Sequence, residues 1–167
     1  MAKLRKQHMT IHWHDIIQAD SNVPAVDATL KEKATLVGRL GLMMLSVGTG
    51  AWRVRNSMNK VSRSLGISCS ADIGLVSIEC TCIGDNETYT QSLSLPTTGV
   101  NTDKLMELEM FMRDFPDLAG KYSVNQFHEV LDHIQKKPAN YKAWNLGLAS
   151  AIACCAFTFL LGGGPVE

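Results

Sequence analysis

The apolar positions of this chain change their period several times, and each change marks an element. Leu30, Ala34, Val37, Leu40, Met44 and Leu45 recur at three- and four-residue steps, the spacing of one helix face. Ser21, Asn22, Val23 and Pro24 lie ahead of them as a capping residue and a proline suited to a first turn, so a long helix is predicted to start between 23 and 29. Gly48-Thr49-Gly50 should break or kink it. The apolar run 40–51 between Arg39 and Arg53 is too short to cross a bilayer and reads as a buried helix. Val54, Met58, Val61 and Leu65 then form a second helical face, with Gly66 as its C-terminal cap.

Between 67 and 95 the pattern shortens to runs rich in Ser, Thr, Ile and Val, which predicts a small antiparallel sheet. Its clearest part is a hairpin with strands over 75–83 and 87–95 around Gly84-Asp85-Asn86. Pro96 and Gly99 end it. Two helices should follow, one over 102–115 carrying Leu105, Leu108, Met112 and Phe115, the other over 123–136, capped by Ser123 and carrying Phe127, Val130, Leu131 and Ile134.

From 143 to 166 no residue is charged, and about 20 of these residues can form a helix, the length that matches a bilayer's hydrocarbon. Lys136, Lys137 and Lys142 precede this run and only Glu167 follows it, which places its N-terminal side in the cytoplasm if it spans. Tyr141 and Trp144 would lie at interfacial depth. Gly147, Ala151 and Cys155 repeat a small residue every fourth position, a face on which another membrane helix can pack closely. The competing reading is a core helix of a soluble binding or regulatory module. The predicted fold is therefore α+β: an N-terminal arm at 1–22, a cytoplasmic domain at 23–138 with long helices, a small sheet and two further helices, a first transmembrane helix at 139–164, and the start of a loop at 165–167. Such a chain would be a fragment or one part of a split product.

Composition narrows the function. With 167 residues, 46 % hydrophobic and 19 % charged, the chain is an ordered protein with a core. Sixteen basic residues balance sixteen acidic ones, so no positive field draws nucleic acid. The basic N-terminus leads into no apolar run of signal-peptide length. Five cysteines form no disulfide framework, and Cys80 and Cys82, on one strand face, read as small packed hydrophobes.

His12 and His14, beside Asp15, have the chemistry of transition-metal ligands, but no partner pattern accompanies them, so neither a metal nor another cofactor is expected. His128 and His133 read as surface histidines. Arg39, Arg53 and Arg55 read as a solvated helix face, the alternative being contact with an anionic carboxylate or a lipid headgroup. No phosphate loop, nucleophile elbow or catalytic triad is visible, so the chain is not read as an enzyme.

Gly38-Arg39-Leu40, Leu45-Ser46-Val47-Gly48, Arg53-Val54 and Leu65-Gly66 together resemble the opening helices of the threonine/serine exporter family, which includes the large subunit of a two-component succinate exporter. The Ser/Thr-rich hairpin, Gly99-Val100-Asn101 before a helix, Tyr141 and Trp144, and the final glycines follow in the same order, so the resemblance covers roughly 34–164. The family often has Gly-Ala-Glu where this chain has Gly48-Thr49-Gly50, and Trp-Asp where it has Pro165-Val166-Glu167. The resemblance implies a plasma-membrane exporter of a small amino acid or a dicarboxylate. It further implies Gly48, Arg53 and Asn101 as motif or substrate-path residues, an oligomeric assembly, and further membrane helices or a separate small membrane subunit as partners.

Overall fold

The computed structural model describes residues 11–16, 23–138, 141 and 143–163, which fall into two compact units, 1–136 and 137–167. In the first unit, helix α1 (Leu30–Ser46) opens at Thr29. The Thr29 hydroxyl accepts from the Glu32 amide at 3.4 Å while the Glu32 carboxylate accepts from the Thr29 amide at 3.0 Å, so two orphan donors are satisfied reciprocally. Pro24 starts no long helix. It forms a β-bridge to Ser123, followed by a single 3-10 turn at Ala25–Asp27.

Helix α1 is the centre of the unit. Ala34, Leu36, Val37, Leu40 and Met44 are all buried, as befits a helix apolar on most sides. Helix α2 (Ala51–Ser64) packs along it, and Gly41 makes the close approach possible: a Cβ there would stand 2.6 Å from Met58 Sδ. Strands β1 (Ser68–Ile73), β2 (Ser77–Ile83) and β3 (Thr88–Ser94) form an antiparallel sheet in that order. The hairpin foreseen around Gly84-Asp85-Asn86 is β2 and β3; β1 is a further strand within the same predicted stretch. Cys69 faces Cys82, Ala71 faces Cys80, and Ile78 faces both Ile73 and Leu93, so these alternate positions form the covered face of the sheet.

Asn101 caps helix α3 (Thr102–Leu118), its Oδ1 accepting from the Lys104 amide at 3.0 Å. The helix runs three residues beyond Phe115, through Pro116, because Leu118 and the buried Ala119 still pack on the core and offset the amide that proline lacks. Ser123 and Gln126 cap helix α4 (Val124–Lys136) reciprocally, at 3.3 and 2.9 Å. Phe127 anchors this end of the core, with ring centroids 4.4 Å from Phe115 and 5.8 Å from Phe111. The buried stripe of α4 is rotated from the predicted one, with Val130 38 % exposed and His128 fully buried.

The second unit contains helix α5 (Ala143–Leu160). Among the described residues no helix is long and apolar enough to cross a membrane, which overturns the predicted C-terminal transmembrane helix. Eighteen residues rise about 27 Å, short of a hydrocarbon core of about 30 Å, and Asn145, Gly147 and Ser150 dilute the first half. Gly147, Ala151 and Cys155 lie along this helix, exposed.

Gly48 gives the turn between α1 and α2 its shape, with φ at 81° and a would-be Cβ 3.2 Å from the Gly99 carbonyl. A Gly48→Ala change should destabilise the unit by about 2 kcal/mol through left-handed strain and crowding. The corresponding change at Gly66, with φ at 71° and open space around it, should cost about 1 kcal/mol. Urea unfolding of both variants checks the difference, and equal losses would rule out the crowding.

Candidate small-molecule pocket

A guanidinium can be buried only if its donors find partners. Arg39, in the middle of α1, is 1 % exposed, so the expected solvated face is corrected at this residue. Helix α4 supplies the partners. One Nη donates to His128 Nδ1 at 3.0 Å and to the His128 carbonyl at 3.1 Å; the other reaches the Asp132 carboxylate and Gln135 Oε1, the latter at 3.1 Å. Positions 128, 132 and 135 form one stripe of the helix, which is why three partners can converge on one side chain. The Trp13 ring closes the other side, its centroid 5.5 Å from the guanidinium carbon and 6.2 Å from the His128 ring.

Protonation states follow from this geometry. Arginine only donates, so His128 Nδ1 accepts and the ring proton sits on Nε2, which has no partner among the described residues. Burial, then the charges of Arg39 and His14, push His128 down to about 3, so it is a neutral imidazole. Burial works to raise the Asp132 carboxyl, but hydrogen bonds and charge from Arg39 and His14 outweigh it and hold the group down to about 2. His14 also meets Asn125 Oδ1 at 2.9 Å, which ties the N-terminal segment to α4.

Beside this network lies a cavity of about 120 Å³. Arg39, Lys104, Gln135 and Ser46 contribute its polar wall, and Leu42, Leu95, Leu108 and Ile134 its apolar wall. Arg39 Nε is buried and has no hydrogen-bond partner among the described residues.

Two of the residues that the resemblance singles out, Gly48 and Asn101, belong to segments joined beside this cavity, though neither lines it. The turn holding Gly48 and the segment entering α3 are joined by backbone bonds, Gly99 N–H to the Ser46 carbonyl and Asn101 N–H to the Val47 carbonyl, both at 3.1 Å. Ser46 and Val47 line the cavity. Arg53 lies elsewhere, paired with Glu109 of α3 at 2.5 Å with both side chains 44 % exposed, a surface ion pair of small net value. Arg55 donates to the Ala71 carbonyl of β1 at 3.0 Å. Among the described residues no group of three His, Cys, Asp or Glu side chains could hold a metal ion: His12 is exposed and His14 is engaged by Asn125 and Asp132. Asp132, Gln135 and Lys104 escaped the sequence reading, and His128, read there as a surface histidine, is corrected to a fully buried one. An arginine inside an apolar run, read together with a polar stripe at 128, 132 and 135, is the signal that was available.

The model of the threonine/serine exporter family matches residues 35–167, which include Arg39, Lys104, His128, Asp132 and Gln135 but not Trp13 or His14. A curated relative from Mycobacterium tuberculosis strain H37Rv, described as a probable threonine/serine exporter, is 26 % identical over 140 residues. That alignment covers 82 % of this chain and 26 % of the relative, so the chain spans about a quarter of the relative's length. No solved structure matches the chain. A family match reaching from the middle of α1 through α5, over the residues that build the buried network, shows that the chain belongs to the threonine/serine exporter family.

Proposed function

We propose that the chain is a component of a plasma-membrane exporter of threonine and serine, with 23–138 as a domain on the cytoplasmic side. The family match over residues 35–167 carries this reading. No described helix spans a bilayer, so on this reading the transport path is built by membrane helices beyond those described or by a separate membrane subunit, in an oligomeric assembly. The relative's greater length is in keeping with such additional segments. Among the described residues the most deeply buried charged group, Arg39, is held by hydrogen bonds to α4, a structural role in keeping with this reading.

The test is efflux of labelled threonine, serine and succinate from cells loaded with each, with and without the gene. Threonine and serine efflux should fall when the gene is deleted and return on complementation, while succinate efflux stays level. Loss of succinate efflux alone would move the cargo to dicarboxylates, and unchanged efflux of all three would refute the export reading.

A further inference from the structure

Three cysteines meet on the covered face of the sheet. Register brings them together: Cys69 of β1 stands directly opposite Cys82 of β2, and Cys80, two residues back on the same face, is its diagonal neighbour. They differ in exposure. Cys80 and Cys82 are 1 % and 0 % exposed, whereas Cys69 lies on the edge strand and is half-buried. Hydrogen bonds from the Cys80 thiol, then from Cys82, outweigh burial and hold the Cys69 thiol well below its ordinary range, while donating to Cys69 pushes both partners up. The thiolate of the cluster therefore falls on the least buried of the three sulfurs. The cluster does not have the arrangement that holds a metal ion, so its chemistry is that of sulfur with sulfur.

Backbone geometry selects the partner. Directly opposed residues of an antiparallel pair have Cα atoms about 4.5–5.5 Å apart, inside the span of about 4.4–6.8 Å that a disulfide bridges. Diagonal neighbours stand about 7–8 Å apart, outside that span. Cys80 is also engaged by Gln91, whose Nε2 donates to its sulfur at 3.4 Å. Among the described residues β1 pairs with β2 alone, so a bond to Cys82 can draw it in without breaking a second ladder.

We propose that Cys69 and Cys82 are a peroxide-responsive thiol pair, Cys69 attacking the oxidant and Cys82 resolving the product into a disulfide that joins β1 to β2. The Cys69 thiolate attacks one oxygen of hydrogen peroxide, the O–O bond breaks, and hydroxide leaves, which makes a sulfenic acid at Cys69. The Cys82 sulfur then attacks that sulfur, the S–O bond breaks, and the hydroxyl departs with the Cys82 proton as water. The proton that Cys69 gave up neutralises the first hydroxide. Both sulfurs are oxidised and both peroxide oxygens end as water, so no further reductant or oxidant is needed.

The test is brief oxidation of the reduced, folded full chain with hydrogen peroxide, followed by alkylation, cleavage at Asp72 and Glu79, and mass spectrometry. Those cuts separate Cys69 from Cys80 and Cys82, and fragmentation at Thr81 tells the latter two apart. The expected product is a peptide pair linking Cys69 to Cys82, lost on treatment with dithiothreitol, and a raised urea midpoint, since the bond constrains the unfolded chain. Cys80→Ala should still give the link. Cys82→Ala should lower the yield of linked Cys69 at least about tenfold and leave a sulfenic acid there that dimedone captures. Should a cysteine variant fail to fold, the map of the unaltered chain decides by itself. Linkage of Cys69 to Cys80, sulfinic acid at Cys69 without a bond, links through Cys154 or Cys155 alone, or an untouched Cys69 would each overturn the proposal, whatever the efflux assay returns.

Discussion

Arg39→Ala should lower the stability of the first unit by about 3–5 kcal/mol, enough to remove much of the margin on which a domain of this size folds. The change deletes a side chain that is 1 % exposed and leaves an empty volume between α1 and α4. It also strips donors from His128 Nδ1, the His128 carbonyl and Gln135 Oε1. Asp132, 28 % exposed, can recover water and still has His14, so its share of the loss is the smaller one. Arg39→Met should therefore cost roughly half as much, since it refills the stem volume and forfeits only the hydrogen bonds. Urea unfolding followed by circular dichroism and by tryptophan fluorescence measures both variants, with coincident transitions as the condition for comparing them. A loss under about 1 kcal/mol for the alanine variant would mean that water reaches the guanidinium and that the network is not a buried one.

Local signals in the sequence located most of this fold, because each rests on short-range chemistry. The α1 face from Leu30 to Leu45, the glycines that end α1 and α2, and the Gly84-Asp85-Asn86 hairpin all follow from spacing and backbone freedom within a few residues. Strand β1 was less legible because its covered face is Cys69, Ala71 and Ile73, of which only the last is a large hydrophobe that an alternating pattern marks clearly. The rotated face of α4 was missed for a tertiary reason. His128 takes the buried place that Val130 would have taken, because Arg39 on another helix needs an acceptor there. No window along α4 contains that information. The apolar run at 143–166 looked long enough to span because charge is absent from all of it, whereas the helix itself stops at Leu160. The pocket needed three helices to be brought together, with Gln135 of α4 bonded both to Arg39 of α1 and to Lys104 of α3.

The buried imidazole should make the unit acid-labile through a window starting well above the range of ordinary carboxylates. Above pH 6.5 His128 is neutral folded or unfolded, so its contribution is fully present and independent of pH. Below 6.5 the unfolded chain takes up a proton that the folded chain refuses until pH falls to about 3, so stability is lost as pH falls through this interval. The expected slope is about 1.4 kcal/mol per pH unit, up to about 5 kcal/mol across the whole window. The refusal has a geometric cause: a proton on Nδ1 would point at the Arg39 Nη that donates to it, and the ring, stacked beside Trp13, is fully buried. Asp132, held down to about 2 against an ordinary 3.8, adds to the loss in the same direction at the acid end. His128→Asn places a non-titrating acceptor near the position of Nδ1, so it should fold at pH 7 and flatten the slope between pH 6.5 and about 4.5. Urea midpoints of the two proteins across that range decide the matter. Parallel curves would show that the acid sensitivity arises elsewhere, whereas converging ones assign it to a histidine kept neutral by the arginine it supports.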